Sequence, residues 1–168
     1  MRRNSCGSIA SMKIDTERIQ KYLLEIKSRH HEIEELFRTQ IDSEILKEPW
    51  VLKGIKYTLV EIAEAMANTL QHILSKHLGE LATGYVETIL RAGEKGILPE
   101  ALSNKLKPFF DFRNSLIHRY WYISDERLLS LIRKNQDAFL AFIEAIENYL
   151  RSIELPFPPS HPPGAEKS

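Results

Sequence analysis

Three residues in the stretch FRNSLIHRYW, positions 112–121, could do chemistry together: Arg113, Asn114 and His118. Arginine supplies a permanent positive charge and a planar fork of N–H donors that suits phosphate oxygens. Histidine, with an ordinary pKa of about 6.5, takes and returns a proton near neutral pH. Asparagine can orient either of them. These are the components of phosphodiester cleavage without a metal: a base for the attacking hydroxyl, an acid for the leaving oxygen and a cation for the charged transition state. One copy offers a single such histidine. Acid and base therefore need either alternating roles for His118 or a second copy across a dimer axis, and the sequence leaves both open.

A bland reading stands beside that one. On a helical wheel at about 100° per residue, Arg113 falls in the middle of an apolar arc formed by Phe109, Phe110, Phe112, Leu116 and Ile117. A guanidinium does not lose its proton, so burying it is unfavourable by several kcal/mol unless it is paired or opens onto a cleft. Glu61 and Glu64 are candidate partners for a structural ion pair, with Asn114 and His118 as hydrogen-bonders within a bundle. An open, positively lined cleft at Arg113 would favour an enzyme; Arg113 sealed against a glutamate would favour a binding module. Locally the charge is basic, with Lys105, Lys107, Arg113 and Arg119 against Asp111. Over the whole chain 23 basic residues balance 23 acidic ones, so overall charge gives no argument for nucleic acid.

The elements that must position these groups read as helices. Ile19, Tyr22, Leu23, Ile26, His30, Ile33 and Phe37 lie on one stripe and predict a long amphipathic helix over about 15–39, with Asp15 or Thr16 as cap. Ser43 can cap a second helix that Pro49 breaks or kinks near its start. Its body follows Leu52, Ile55, Leu59, Ile62, Met66 and Ile73 to Gly79. A short piece spans about 84–95, and Pro99 opens the helix that carries the motif, with Pro108 as a kink or a fresh start. Ser124 or Asp125 caps a final helix carrying Leu128, Ile132, Phe139, Phe142, Ile143, Ile146 and Leu150 to about 153. The expectation is an all-α, antiparallel bundle of four to five helices.

With 168 residues and 43% hydrophobic content the chain can bury a core as one domain over 14–153. Residues 1–13 are expected to be a flexible extension and 154–168 a Pro-rich tail. The single cysteine, Cys6, excludes an internal disulfide and a cysteine-based metal cluster. No apolar run reaches the ~18 residues of a membrane helix, and no apolar h-region follows the basic start. A cytoplasmic protein without a membrane partner is expected. The adjacent His30 and His31, and His72 and His77 five apart, do not have the spacing of a helical zinc site. With no glycine-rich phosphate loop either, no metal or other cofactor is expected. Tyr120, Trp121 and Tyr122 cannot all share one helix face, so at least one is expected at the surface or an interface.

Arg113-Asn114-Ser115-Leu116-Ile117-His118-Arg119-Tyr120, followed by Trp121, resembles the HEPN superfamily and in particular the HepT-like toxins of prokaryotic toxin–antitoxin pairs. Their signature is an arginine, usually with a polar residue after it, a histidine five positions on and, in the HepT branch, a tyrosine two beyond the histidine. The resemblance extends over about 14–153. It implies a HEPN helical bundle, a homodimer with motifs facing a shared cleft, and metal-independent endoribonuclease activity in a type VII-like toxin–antitoxin pair. Arg113 and His118 would be catalytic, with Asn114 positioning them. Lys107, Arg119 and Trp121 are candidate RNA contacts. The implied partner is an MntA-like nucleotidyltransferase antitoxin that can AMPylate the tyrosine, here Tyr120. The rival expectation is a non-catalytic HEPN module that dimerises and holds such a nucleotidyltransferase.

Overall fold

The computed structural model describes residues 13–117 and 123–154. Those residues form seven helices and no strand: α1 Thr16–Thr39, α2 Asp42–Ile45, α3 Pro49–His77, α4 Tyr85–Glu94, α5 Glu100–Ile117, α6 Asp125–Asn135 and α7 Asp137–Glu154. The all-α expectation holds, and the count of four to five helices is too low. One of the two additions is α2, a single turn before Pro49. Pro49 starts α3 because its ring presets the first helical φ and its missing N–H is not needed there. The other comes from a break at Gln136 in the final helix. The Gln136 N–H closes α6 on the Ile132 carbonyl, while its own carbonyl accepts from the Phe139 N–H. Lys105 meanwhile ties Asp137, the first residue of α7, to α5 at 2.9 Å.

Caps follow the sequence in two places. The Asp15 carboxylate accepts from the Arg18 N–H, and the Ser124 hydroxyl from the Arg127 N–H. Ser43 is not a cap: it lies inside α2, Ile41 occupies the cap position, and the Glu44 carboxylate accepts from the Ile41 N–H. Pro108 does not restart its helix either. α5 runs unbroken through it, flanked by the buried Leu106, Phe109 and Phe110.

α3 is the central element, packed against α1, α4 and α5, while α7 lies against α1 and α5. The α1 and α3 helices are antiparallel, since Asp15 meets His72 and Arg29 meets Glu61. The α4–α5 pair is antiparallel too, with Gly96 at φ 73° in the turn between them. The Ser103 hydroxyl donates to the Ile89 carbonyl at 2.6 Å. Gly93 lets the two backbones approach so closely that a Cβ there would meet Ser103 Oγ at 2.9 Å. The core is the sum of the sequence stripes: Ile19, Leu23, Ile26, Ile33, the α3 row from Leu52 to Ile73, and Phe109, Phe110, Phe139 and Phe142. Phe109 and Phe139 pack edge to face at 4.8 Å between ring centres, joining α5 to α7. None of the helices among the described residues is long and apolar enough to cross a membrane.

Candidate functional site

Arg113 sits in the last turns of α5, on the row that the wheel places among apolar residues. Phe109, Phe110 and Phe112 on the same helix are buried, and the Arg113 side chain is only 15% exposed. The guanidinium is paired. Its Nη2 donates to Glu64 Oε1 on α3 at 3.0 Å. Its carbon lies 3.7 Å from the centre of the Tyr85 ring, at the start of α4. Three helices thus hold one cation, by charge from α3 and by the negative ring face from α4. Nε of Arg113 is buried and has no hydrogen-bond partner among the described residues. An unfilled donor on a buried charge is unfavourable.

Of the two glutamates the sequence offered, Glu64 takes the arginine because Glu61 is already engaged. Glu61 lies 3.0 Å from Arg29 Nε on α1. Burial pushes the Glu61 carboxyl up; Arg29 pulls it down, and Glu25, Glu32 and Glu64 add to the rise. Arg29 in turn is paired with Glu32 at 2.7 Å. Charges therefore alternate from α1 across α3 to α5.

The remaining predicted residues divide into those the structure places and those it does not. Asn114 is half-buried, one position past Arg113. Lys107, a candidate RNA contact, is paired with Asp111 at 2.7 Å on its own helix. Lys105 is engaged by Asp137. The basic patch read from the sequence is thus matched by acids at each of its three described members. His118, Arg119, Tyr120 and Trp121 lie outside the described residues, as do residues 1–12 of the expected extension over 1–13 and residues 155–168 of the expected tail over 154–168.

The two ends that flank His118 are both fixed to α3. On one side is the Arg113–Glu64 pair. On the other, Lys56 meets Asp125, the first residue of α6, at 2.8 Å. Glu64 and Lys56 are eight residues apart, about 12 Å along α3, so the last turns of α5 and the first residue of α6 are held on one stretch of that helix. Tyr85, Glu64 as the chosen partner, and α3 as the shared anchor are not apparent from the motif alone. A tyrosine directly after Gly84 at a helix start was the one available signal for Tyr85. A cavity of about 660 Å³ lined by Leu98, Leu102, Ala145 and Tyr149 contains none of these residues, and the chemistry of Arg113 makes it the better candidate site.

Against this fold and site stand three comparisons. Residues 16–146 match the family model described as Ribonuclease HepT-like. The chain belongs to that family, the HepT-like branch of the HEPN proteins. A curated relative from Archaeoglobus fulgidus, named "Putative RNase", is 32% identical over 111 residues, 66% of this chain and 83% of the relative. Among solved structures, a tri-AMPylated HEPN toxin of Shewanella oneidensis in complex with an MNT antitoxin superposes with a TM-score of 0.69 at 17% identity, over 78% of this chain and 97% of that one. YutE from Bacillus subtilis, a cytosolic protein of unknown function, gives 0.70 at 18% identity, over 83% and 93%. A chain of an MntA–HpeT toxin–antitoxin structure gives 0.64 at 17% identity, over 79% and 98%. At those identities the structures establish the fold.

Proposed function

We propose that this chain is a metal-independent endoribonuclease and the toxin of a toxin–antitoxin pair. The family and the relative named as an RNase support nuclease activity, and the named toxin–antitoxin neighbours support the pairing. The observation that carries the reading is the match of residues 16–146 to a ribonuclease family; Arg113, held by Glu64 and Tyr85, stands at the end of the helix that leads into the motif.

In the proposed step His118 takes the proton of a ribose 2′-hydroxyl, and that oxygen attacks the adjacent phosphorus. The bond to the 5′-oxygen breaks as this oxygen receives a proton, from His118 in its protonated form or from His118 of a second copy. The products are a 2′,3′-cyclic phosphate and a 5′-hydroxyl. Arg113 balances the charge gathering on the phosphorane oxygens, and Asn114 orients the pair. A homodimer in the cytoplasm and an MntA-like nucleotidyltransferase that adds an adenylate to Tyr120 complete the proposal. The adenylate would bring negative charge and bulk beside a phosphate-binding site.

The experiment is cleavage of a labelled structured RNA, with EDTA present, by the wild type and by His118→Ala prepared identically. Cleavage by the wild type alone, leaving a cyclic phosphate, is the expected result. No cleavage by a folded, adenylate-free wild type would reject the enzyme. The Arg113–Glu64 pair favours a second reading, a non-catalytic HEPN module that dimerises and holds a nucleotidyltransferase, in which Arg113 serves structure alone.

A further inference from the structure

α3 carries an unusual solvent face. Trp50 is 79% exposed and Tyr57 is 67% exposed, yet both are large aromatics whose burial would be favourable. They are seven residues apart, and Glu64 is seven further on, so the three lie on one row of the helix within about 40°. The Lys53 ammonium stands 4.4 Å from the centre of the Trp50 ring. This row therefore runs from two exposed aromatic rings, one of them with Lys53 over it, to the carboxylate that holds Arg113. It passes the stretch of α3 to which both ends of the His118 segment are fixed, through Glu64 and Lys56.

We infer that Trp50, Lys53 and Tyr57 form a track for single-stranded RNA, stacking bases upstream or downstream of the phosphate presented to Arg113 and His118. The inference deepens the ribonuclease reading and rests on it. Exposed aromatic rings accept any base by stacking, and a neighbouring ammonium adds attraction for the phosphate backbone. Around Trp50 the charges are mixed, Lys47, Lys53 and Lys56 against Asp42, Glu44 and Glu48, and Lys56 is already paired with Asp125, so the ammonium offered beside the rings is that of Lys53. A second copy of the chain is the other conceivable occupant. Against that occupant, the row carries Lys53 between its two rings, and lysine is depleted in interfaces between protein chains.

The test separates binding from cutting. A fluorescent 2′-O-methyl oligonucleotide, which cannot supply the attacking hydroxyl, is titrated with wild type, Trp50→Ala, Tyr57→Ala, the double variant and Trp50→Phe, and anisotropy gives Kd. Each alanine is expected to weaken binding about tenfold, the double variant more, and phenylalanine to retain most of the affinity. On a cleavable RNA the same variants should raise KM and leave kcat near wild type. Unchanged affinity in the double variant overturns the track, as does a wild type that does not bind. Loss of dimer mass on sedimentation, with affinity per subunit intact, would assign the row to a contact between copies. A wild type that binds through Trp50 and Tyr57 but never cuts RNA would leave the track standing and remove the catalytic reading.

Discussion

Replacing Glu64 by glutamine removes one charge from the three-helix grip on Arg113 and keeps an acceptor oxygen in place. Exposed ion pairs contribute roughly 0.2–1 kcal/mol, whereas stripping one partner from a buried pair costs about 3–5 kcal/mol. This pair lies between those limits, since the Arg113 side chain is 15% exposed and that of Glu64 is 43% exposed. Water screens the glutamate end, so the lower half of the range applies and Glu64→Gln should destabilise by about 1.5 kcal/mol. In a chain of this size that lowers Tm by roughly 3–6 °C. The sharper test is a double-mutant cycle with Arg113→Met, which keeps length and apolar surface while removing the charge. Once Arg113 is methionine, Glu64→Gln should have little further effect, giving a coupling of about 1 kcal/mol in urea unfolding at constant m. A coupling below about 0.3 kcal/mol would mean that Glu64 does not hold Arg113, and the positioning argument would fail with it.

Four other outcomes are expected. Arg113→Lys, which keeps charge but loses the planar fork, should lower kcat for RNA cleavage by about 100-fold or more with a smaller change in KM; wild-type kcat would remove Arg113 from the chemistry. Burial holds His72 below its ordinary pKa, with Arg18 and Lys76 adding to the effect and Asp15 opposing it, and burial does the same to His30. His72 Nε2 accepts from the Asp15 N–H at 2.9 Å, which requires the unprotonated nitrogen. Both histidines therefore contribute stability that is full above about pH 6.5, their unfolded value, and is lost as pH falls through the lower folded values. Urea midpoints at pH 8 and pH 5 should show that loss, and a His30→Gln/His72→Gln variant should flatten it; an unchanged slope would refute the assignment. Gly93→Ala drives a Cβ against Ser103 and should destabilise by about 1–3 kcal/mol despite the better helix propensity of alanine, and a stabilised protein would show that α4 and α5 are not so close. Phe139→Ala, at the α5–α7 contact, should cost about 3–5 kcal/mol by urea unfolding.

The stripes of α1, α3 and α7 are legible because each core position recurs with the helical period, and Asp15 and Ser124 because a capping side chain is a local signal. The break at Gln136 is not, since RKNQDAF contains neither proline nor glycine and the contact beside it, Lys105 reaching Asp137, comes from another helix. The N-terminus of α2 also escaped prediction: isoleucine has no capping oxygen, and the Glu44 carboxylate does the work from three residues ahead. At the site, the anomaly of Arg113 is visible in one helix alone. Its partner is not, because Glu61 and Glu64 are equivalent until α1 presents Arg29 to the first of them. Trp50 and Tyr57 lie on a polar face, where a search for core periodicity passes over them.

The division of the last helix also sets how far a disturbance can travel. An unbroken rod from Asp125 to Glu154 would be about 45 Å long, and a 5° tilt about its far end would swing its tip by roughly 4 Å. Cut at Gln136, the piece attached to the His118 segment is a lever of about 16 Å, and the same tilt moves its end by little more than 1 Å. The short arm is tied to α3 through Asp125 and Lys56. The helix that anchors Arg113 is also the one that anchors the return of the chain, so the two sides of the motif ride on a common frame.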